Sequence, residues 1–143
     1  MKQILITIAA VVLVGCGPSV PDNDLQEAAG LGNIEAVKQH LAAGVDVNGW
    51  GDKGNEATPL YYAAQSGHKE IAELLIANDA DVNLRSGMII KTEDGDAGEQ
   101  MAQKSMNNRT PLDMAILFDH TEIADLLRKH GGKTGEELDA AGN

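Results

Sequence analysis

Aromatic residues are nearly missing from this chain: one Trp, one Phe and two Tyr among 143 residues. Strands draw heavily on such rings and on β-branched side chains, so their scarcity argues against a sheet sandwich or barrel. Cysteine is limited to Cys16, which excludes an internal disulfide and a thiolate-based zinc site. Basic residues are few, with 11 Lys and Arg against 22 Asp and Glu, for a net charge of −11. Such a surface repels phosphates, which argues against nucleic acid and against electrostatic adhesion to anionic lipid. Nor is any apolar run long enough to cross a bilayer. The longest, Ile4 to Val14, is interrupted by Thr7 and as a helix would extend only about 16 Å against ~30 Å of hydrocarbon. What the chain has in quantity is Ala and Leu, which suits slim helices packed closely together, and its length fits one domain.

The amino terminus reads as an address. Met1-Lys2-Gln3 supplies a positive start and Ile4 to Val14 an apolar core too short to span, the pattern of a signal peptide. It ends Leu13-Val14-Gly15-Cys16, which resembles the lipobox of bacterial lipoproteins. The resemblance implies a diacylglycerol on the Cys16 sulfur, cleavage before Cys16 and acylation of the new amino terminus. Residues 1–15 are then the signal peptide and 16–23 a tether, with Gly17-Pro18-Ser19-Val20-Pro21 extended. Several acyl chains, at ~0.8 kcal/mol per buried CH₂, would hold the protein on a membrane. Gly17 after the cysteine is similar to the pattern sent to the outer membrane in enteric bacteria, leaving inner or outer membrane open. The expected location is the bacterial envelope, facing the periplasm. An ordinary secretory signal with an incidental cysteine is the competing reading.

The remainder repeats. Asp24-Leu25-Gln26-Glu27-Ala28-Ala29-Gly30-Leu31-Gly32-Asn33 aligns with Pro59-Leu60-Tyr61-Tyr62-Ala63-Ala64-Gln65-Ser66-Gly67-His68, and with Pro111-Leu112-Asp113-Met114-Ala115-Ile116-Leu117-Phe118-Asp119-His120. Each segment runs into a second apolar stripe: Ile34, Val37 and Leu41, then Ile71, Leu74 and Leu75, then Ile123, Leu126 and Leu127. Spacings of three and four put each stripe on one helix face. The first two units close on Gly44-Val45-Asp46-Val47-Asn48 and Asp79-Ala80-Asp81-Val82-Asn83.

Thr58-Pro59-Leu60-Tyr61-Tyr62-Ala63 and Thr110-Pro111-Leu112-Asp113-Met114-Ala115 resemble the T-P-L-H-x-A signature of the ankyrin repeat, with the His position replaced. The resemblance covers about residues 24–133. It implies an all-α solenoid of three helix pairs, at about 24–48, 55–83 and 108–133 in a domain spanning 24–143. The offsets are 35 from Gly32 to Gly67 and 52 from Leu60 to Leu112, against a usual period of about 33. The excess falls in the hairpins, chiefly as an insertion at 84–107. Thr58 and Thr110 should cap helices, Pro59 and Pro111 open them, and Gly32 and Gly67 end them in the left-handed region. Asp119 stands where those glycines do, which predicts a strained or altered turn. Losing His at Tyr61 and Asp113 predicts the loss of a side-chain bond between neighbouring turns. Three repeats are about the minimum for a continuous core, so stability should be marginal. Thr134-Gly135-Glu136-Glu137 has capping-box spacing and predicts a short closing turn through Leu138-Asp139-Ala140.

Chemistry-bearing constellations are thin. His40, His68, His120 and His130 show no acid–base or metal spacing, and the repeat positions of His68 and His120 favour structural roles. The serines lie in no nucleophile motif. Within the insertion, Met88-Ile89-Ile90 is apolar, Glu93 to Glu99 is acidic without the alternation of a calcium loop, and Gln100 to Met106 could form helical turns. The expectation is a non-catalytic protein-binding module with no cofactor, no nucleic acid and no small-molecule substrate. An inhibitor or immunity-type protein masking a toxin or enzyme is the alternative. The ankyrin resemblance puts contacts on hairpin tips and first-helix ends, hence on Trp50, Tyr62, Leu31, Leu117 and Phe118, with the insertion also available. Trp50 folding onto Tyr61 or Tyr62, and Leu117 and Phe118 packing beneath the insertion, are the competing structural readings.

Overall fold

The computed structural model describes residues 23–51, 57–87 and 108–142. Cys16, the apolar leader, the tether and the greater part of the insertion, including Gln100 to Met106, lie outside these residues. The described chain is seven helices with no strand: α1 (Leu25–Leu31), α2 (Ile34–Ala42), α3 (Pro59–Ser66), α4 (Lys69–Ala77), α5 (Pro111–Leu117), α6 (Thr121–Lys129) and α7 (Gly135–Ala141). The first six form three antiparallel pairs, and α7 follows them. The first helices stack side by side, with α3 between α1 and α5, and the second helices stack behind them. The closing segment is a two-turn helix rather than a single turn. A capping box between Thr134 and Glu137 starts it, with Thr134 N donating to Glu137 at 2.7 Å.

Each first helix begins where a hydroxyl or carboxylate meets an otherwise unpaired N–H. Thr58 accepts from Tyr61 N and Thr110 from Asp113 N, both at 3.3 Å. Proline sits in the first turn of both helices, where no N–H is needed. Asp24 does the same for α1, accepting from Glu27 N at 2.7 Å; each cap contributes about 1 kcal/mol. The helices end left-handed at Gly32 (φ 77°), Gly67 (φ 81°) and Asp119 (φ 57°). The aspartate is possible for a steric reason. A Cβ on Gly32 would lie 2.6 Å from the His68 ring, and one on Gly67 2.7 Å from the His120 ring. Asp119 belongs to the last complete pair, and no second helix follows α7 among the described residues to press a ring against it. The second helices end the same way at Gly44, Asp79 and Gly131.

Leu25, Leu60, Leu112, Ile71, Leu75, Ile123 and Leu127 are fully buried and form one seam across the repeats. Each large aliphatic so buried contributes about 1.5–3 kcal/mol. Ala28, Ala29, Ala63, Ala64 and Ala115 expose nothing and let the first helices approach. Leu74 and Leu126 pack against this seam, half-buried. The first repeat departs from the predicted stripe. Val37 is buried, but Ile34 and Leu41 are only partly so, and His40 fills the place that Leu75 and Leu127 hold in the later pairs. Among the described residues, His40 Nε2 is the one buried side-chain polar atom without a hydrogen-bond partner.

Polar struts tie successive repeats. His68 Nε2 lies 3.1 Å from the Gly30 carbonyl, and His120 Nε2 3.1 Å from that of Gln65. Asn33, at the same position in the first repeat, instead caps its own helix by accepting from Ala36 N. Asn48 donates to the Asp79 carbonyl and accepts from Asp81 N. Asn83 repeats both bonds one unit on, with Gly131 and Lys133. The side-chain bonds expected to vanish at Tyr61 and Asp113 are present in other chemistry. Gln26 donates to the Gly49 carbonyl at 2.8 Å, Tyr61 and Ser86 share a side-chain hydrogen bond, and Asp113 accepts from Gly135 N at 2.8 Å. Each reaches the turn ahead of it, because what this position requires is one polar atom at that distance, and an amide, a phenol or a carboxylate can supply it.

The base of the insertion is closed. Ser86 N donates to the Arg109 carbonyl at 2.8 Å and Asn108 N to the Ser86 carbonyl at 2.7 Å. Arg85 pins this neck to α7 through Asn108 Oδ1, the Gly135 carbonyl and Asp139, the last at 2.7 Å.

Candidate functional site

The turn signals just described leave one set of side chains facing outward. Because α1 and α3 end at glycines, the residues just before those glycines stand on the rim of the stack. Leu31 is 69% exposed there, and Leu117 and Phe118 are about half exposed at the end of α5. Trp50, on the first hairpin, is 46% exposed. Among the described residues its ring stacks on neither tyrosine. Tyr62 is half-buried and meets Tyr61 edge-on, with ring centroids 5.7 Å apart. Phe118 stacks on His120 at 6.4 Å, so this phenylalanine also holds the ring that braces α6 against α3. Ile116 joins this rim and was not anticipated. Its equivalents, Ala29 and Ala64, are fully buried, and a side chain of isoleucine's size in an alanine slot is the signal that could have found it.

Leu31 and Tyr62 come together. Gly30 lies beside the tyrosine: a Cβ added there would meet Tyr62 Cβ at an ordinary contact distance of 3.6 Å, which sets Tyr62 against α1. The two residues line a groove of about 430 Å³ with Asp24, Glu27, Gly30 and Gly51. Gly51 places the groove one residue from Trp50. Leu117 and Phe118 do not belong to it; they lie on α5, the far side of α3. Burial raises the Tyr62 phenol above its ordinary range, and Tyr61 and the nearby Asp24 carboxylate raise it further. Tyr61 is raised by burial as well, with its bond to Ser86 opposing.

The arrangement offers contact surface. His68 and His120 are committed to carbonyls one repeat back. No group of three or more His, Cys, Asp or Glu is placed to hold a metal among the described residues. Nor, among them, is any helix long and apolar enough to cross a membrane.

A one-dimensional stack with outward hairpins and a grooved helical face defines a helical-repeat interaction scaffold. The chain belongs to the ankyrin repeat family: the family described as ankyrin repeats (3 copies) matches residues 9–86 and 25–137. It is 29% identical to cyclin-dependent kinase 4 inhibitor B of Bos taurus over 78% of this chain and 94% of that protein. It is 28% identical to the Caenorhabditis elegans ankyrin repeat and KH domain-containing protein mask-1 over 90% of this chain and 4% of that protein. With human Rabankyrin-5 the identity is 32%, over 72% of this chain and 9% of the relative. Most of these relatives are far longer, and the chain spans a quarter or less of several of them. The ankyrin family is a non-catalytic interaction fold, and this chain is a protein–protein interaction module.

Proposed function

We propose that the protein binds its partner through the rim formed by Leu31, Trp50, Tyr62, Leu117 and Phe118, while lipid on Cys16 holds it in a bacterial envelope facing the periplasm. One observation carries the choice of face: large apolar side chains stand exposed at first-helix ends and on a hairpin, on a stack whose turns are fixed by the histidine and asparagine struts. Exposed aromatics on a rigid frame lose little entropy on binding, which makes them good anchors. The lipobox-like Leu13-Val14-Gly15-Cys16 supports the anchor.

Affinity capture from envelope extracts tests the face. Trp50→Ala with Phe118→Ala should lose the partner while the helical circular dichroism spectrum is retained; undiminished capture would refute it. Metabolic labelling with a fatty acid, read together with membrane fractionation, tests the anchor. Cys16→Ser should abolish the label and release the chain, whereas an unlabelled parent chain would sink that part.

A second reading, an inhibitor that masks a toxin or enzyme, is favoured by two observations. The bovine relative, matched over 94% of its length, bears an inhibitor's name, and a net charge of −11 suits the covering of a basic protein. Recovery of a basic enzyme or toxin whose activity falls on binding would establish it.

A further inference from the structure

The two asparagine struts share one design and differ in the residue that follows them. Asn48 Nδ2 donates to the Asp79 carbonyl at 3.2 Å, and its Oδ1 accepts from Asp81 N at 2.8 Å. Asn83 Nδ2 donates to the Gly131 carbonyl at 3.2 Å, and its Oδ1 accepts from Lys133 N at 2.8 Å. The two carboxamides are therefore held alike. Asn83 is followed by Leu84, whereas Asn48 is followed by Gly49 in the one Asn-Gly pair of the chain. The fold favours that glycine. A Cβ on it would lie 3.0 Å from the Asp46 carbonyl oxygen, to which Gly49 N donates at 3.0 Å in closing the turn. Glycine also leaves its own amide nitrogen unshielded and its backbone free to rotate. The turn thus sets an open backbone nitrogen next to the carboxamide that carries the strut.

We propose that Asn48 is a site of spontaneous deamidation, and that its conversion loosens the junction between the first and second repeats. Gly49 N gives its proton to solvent base and attacks Asn48 Cγ. The Cγ–Nδ2 bond breaks, the nitrogen leaves as ammonia, and a succinimide ring closes. Water then opens the ring at either carbonyl, leaving aspartate or isoaspartate at position 48. Water is consumed and ammonia released, with no oxidation or reduction. Asn48 and Gly49 are only half-buried, so water reaches them. The bonds from Gly49 N to Asp46 and from Asn48 to Asp79 must first open, which slows the reaction in the folded chain without stopping it. The product cannot donate to the Asp79 carbonyl, because an oxygen then faces an oxygen. A new negative charge also arises beside Asp46, whose carboxylate accepts from Asn48 N. Isoaspartate further lengthens the main chain by a methylene and shifts the hairpin that leads to Trp50.

The test incubates the full folded chain in mildly alkaline buffer for weeks and maps its peptides by mass spectrometry. The peptide holding Asn48 should gain the mass by which OH exceeds NH₂, and isoaspartyl methyltransferase should label it. The peptide holding Asn83, bonded in the same way, should keep its mass over the same period. In urea, where the struts are gone, conversion at Asn48 should run about tenfold faster, roughly the worth of the two bonds that must open. Gly49→Ala, compared in urea so that folding plays no part, should slow it. The deamidated chain and the Asn48→Asp chain should each melt lower than the parent by roughly 4 °C or more, the loss of about one net hydrogen bond. A folded chain whose Asn48 peptide keeps its mass overturns the proposal. So does conversion of Asn83 at the same rate, which would leave glycine without a part. Equal rates at Asn48 in buffer and in urea would overturn the control assigned to the strut. A converted chain that melts with the parent would overturn the loosening of the junction.

Discussion

Replacing His40 by Leu should make the protein more stable. The imidazole is 3% exposed and its Nε2 has no partner, and an unsatisfied buried polar atom costs about 1–3 kcal/mol. The equivalent positions in the next two pairs hold Leu75 and Leu127, both fully buried, so the surrounding backbone already accepts leucine in that register. Exchanging one buried side chain for another of similar size costs less than about 1.5 kcal/mol in repacking. The expected net gain is therefore about 1–2 kcal/mol, and each kcal/mol should raise the melting temperature by roughly 4 °C or more. Thermal and urea melts at neutral pH measure it, with the urea slope unchanged if the native and unfolded states are otherwise alike. His40→Ala separates polarity from volume: it removes the nitrogen but leaves a cavity, and should lose stability. A His40→Leu chain that melts at or below the parent would refute the reasoning and show that the ring is matched to its site.

Gly67→Ala should cost about 2–4 kcal/mol in a chemical melt, since it combines a left-handed Cβ with displacement of the His120 ring and its hydrogen bond. Asp119→Gly, at the equivalent turn with no ring above it, should instead gain about 1 kcal/mol; equal effects at the two sites would contradict the steric account. Replacing residues 88–107 by a short Gly-Ser link should preserve the helical circular dichroism spectrum and gain up to about 2 kcal/mol of loop-closure entropy, because Ser86 already pairs with Asn108 and Arg109. Loss of the fold would show that the neck does not close by itself. On the alkaline side, Tyr61 and Tyr62 have phenols raised above 10.0 by burial. The stability they contribute is whole below about pH 10 and falls as pH climbs through the raised values. Tyr61→Phe should flatten that decline in a pH series of melts, and an unchanged slope would exclude Tyr61 as its source.

Much of this architecture could be read from spacing alone. The apolar stripes at Ile71, Leu74, Leu75 and at Ile123, Leu126, Leu127, together with Thr58-Pro59 and Thr110-Pro111, give helices, caps and stack, because each is a local rule that packing here does not override. Asp119 was legible for the same reason. What escaped depends on geometry between repeats. The partners of Gln26, Tyr61 and Asp113 lie 22 to 25 residues away, and no local pattern says that three unlike side chains reach equivalent turns. His40 was legible only by aligning it with Leu75 and Leu127 rather than following the stripe within its own helix. The exposure of Leu31 follows from its place before Gly32, but its union with Tyr62 in a groove arises only once α3 lies against α1.

The histidine struts all point one way. His68 and His120 each reach back to the carbonyl of the preceding repeat, while Asn33 bonds only within its own helix. The stack therefore has a grain. Trimming it from the carboxyl end leaves every remaining histidine strut satisfied, whereas removing the first pair strands His68 with nothing to hold. Extension by recombination is correspondingly asymmetric: a new unit appended after α6 can bring its own histidine, but it would press that ring onto Asp119, which would first have to become glycine.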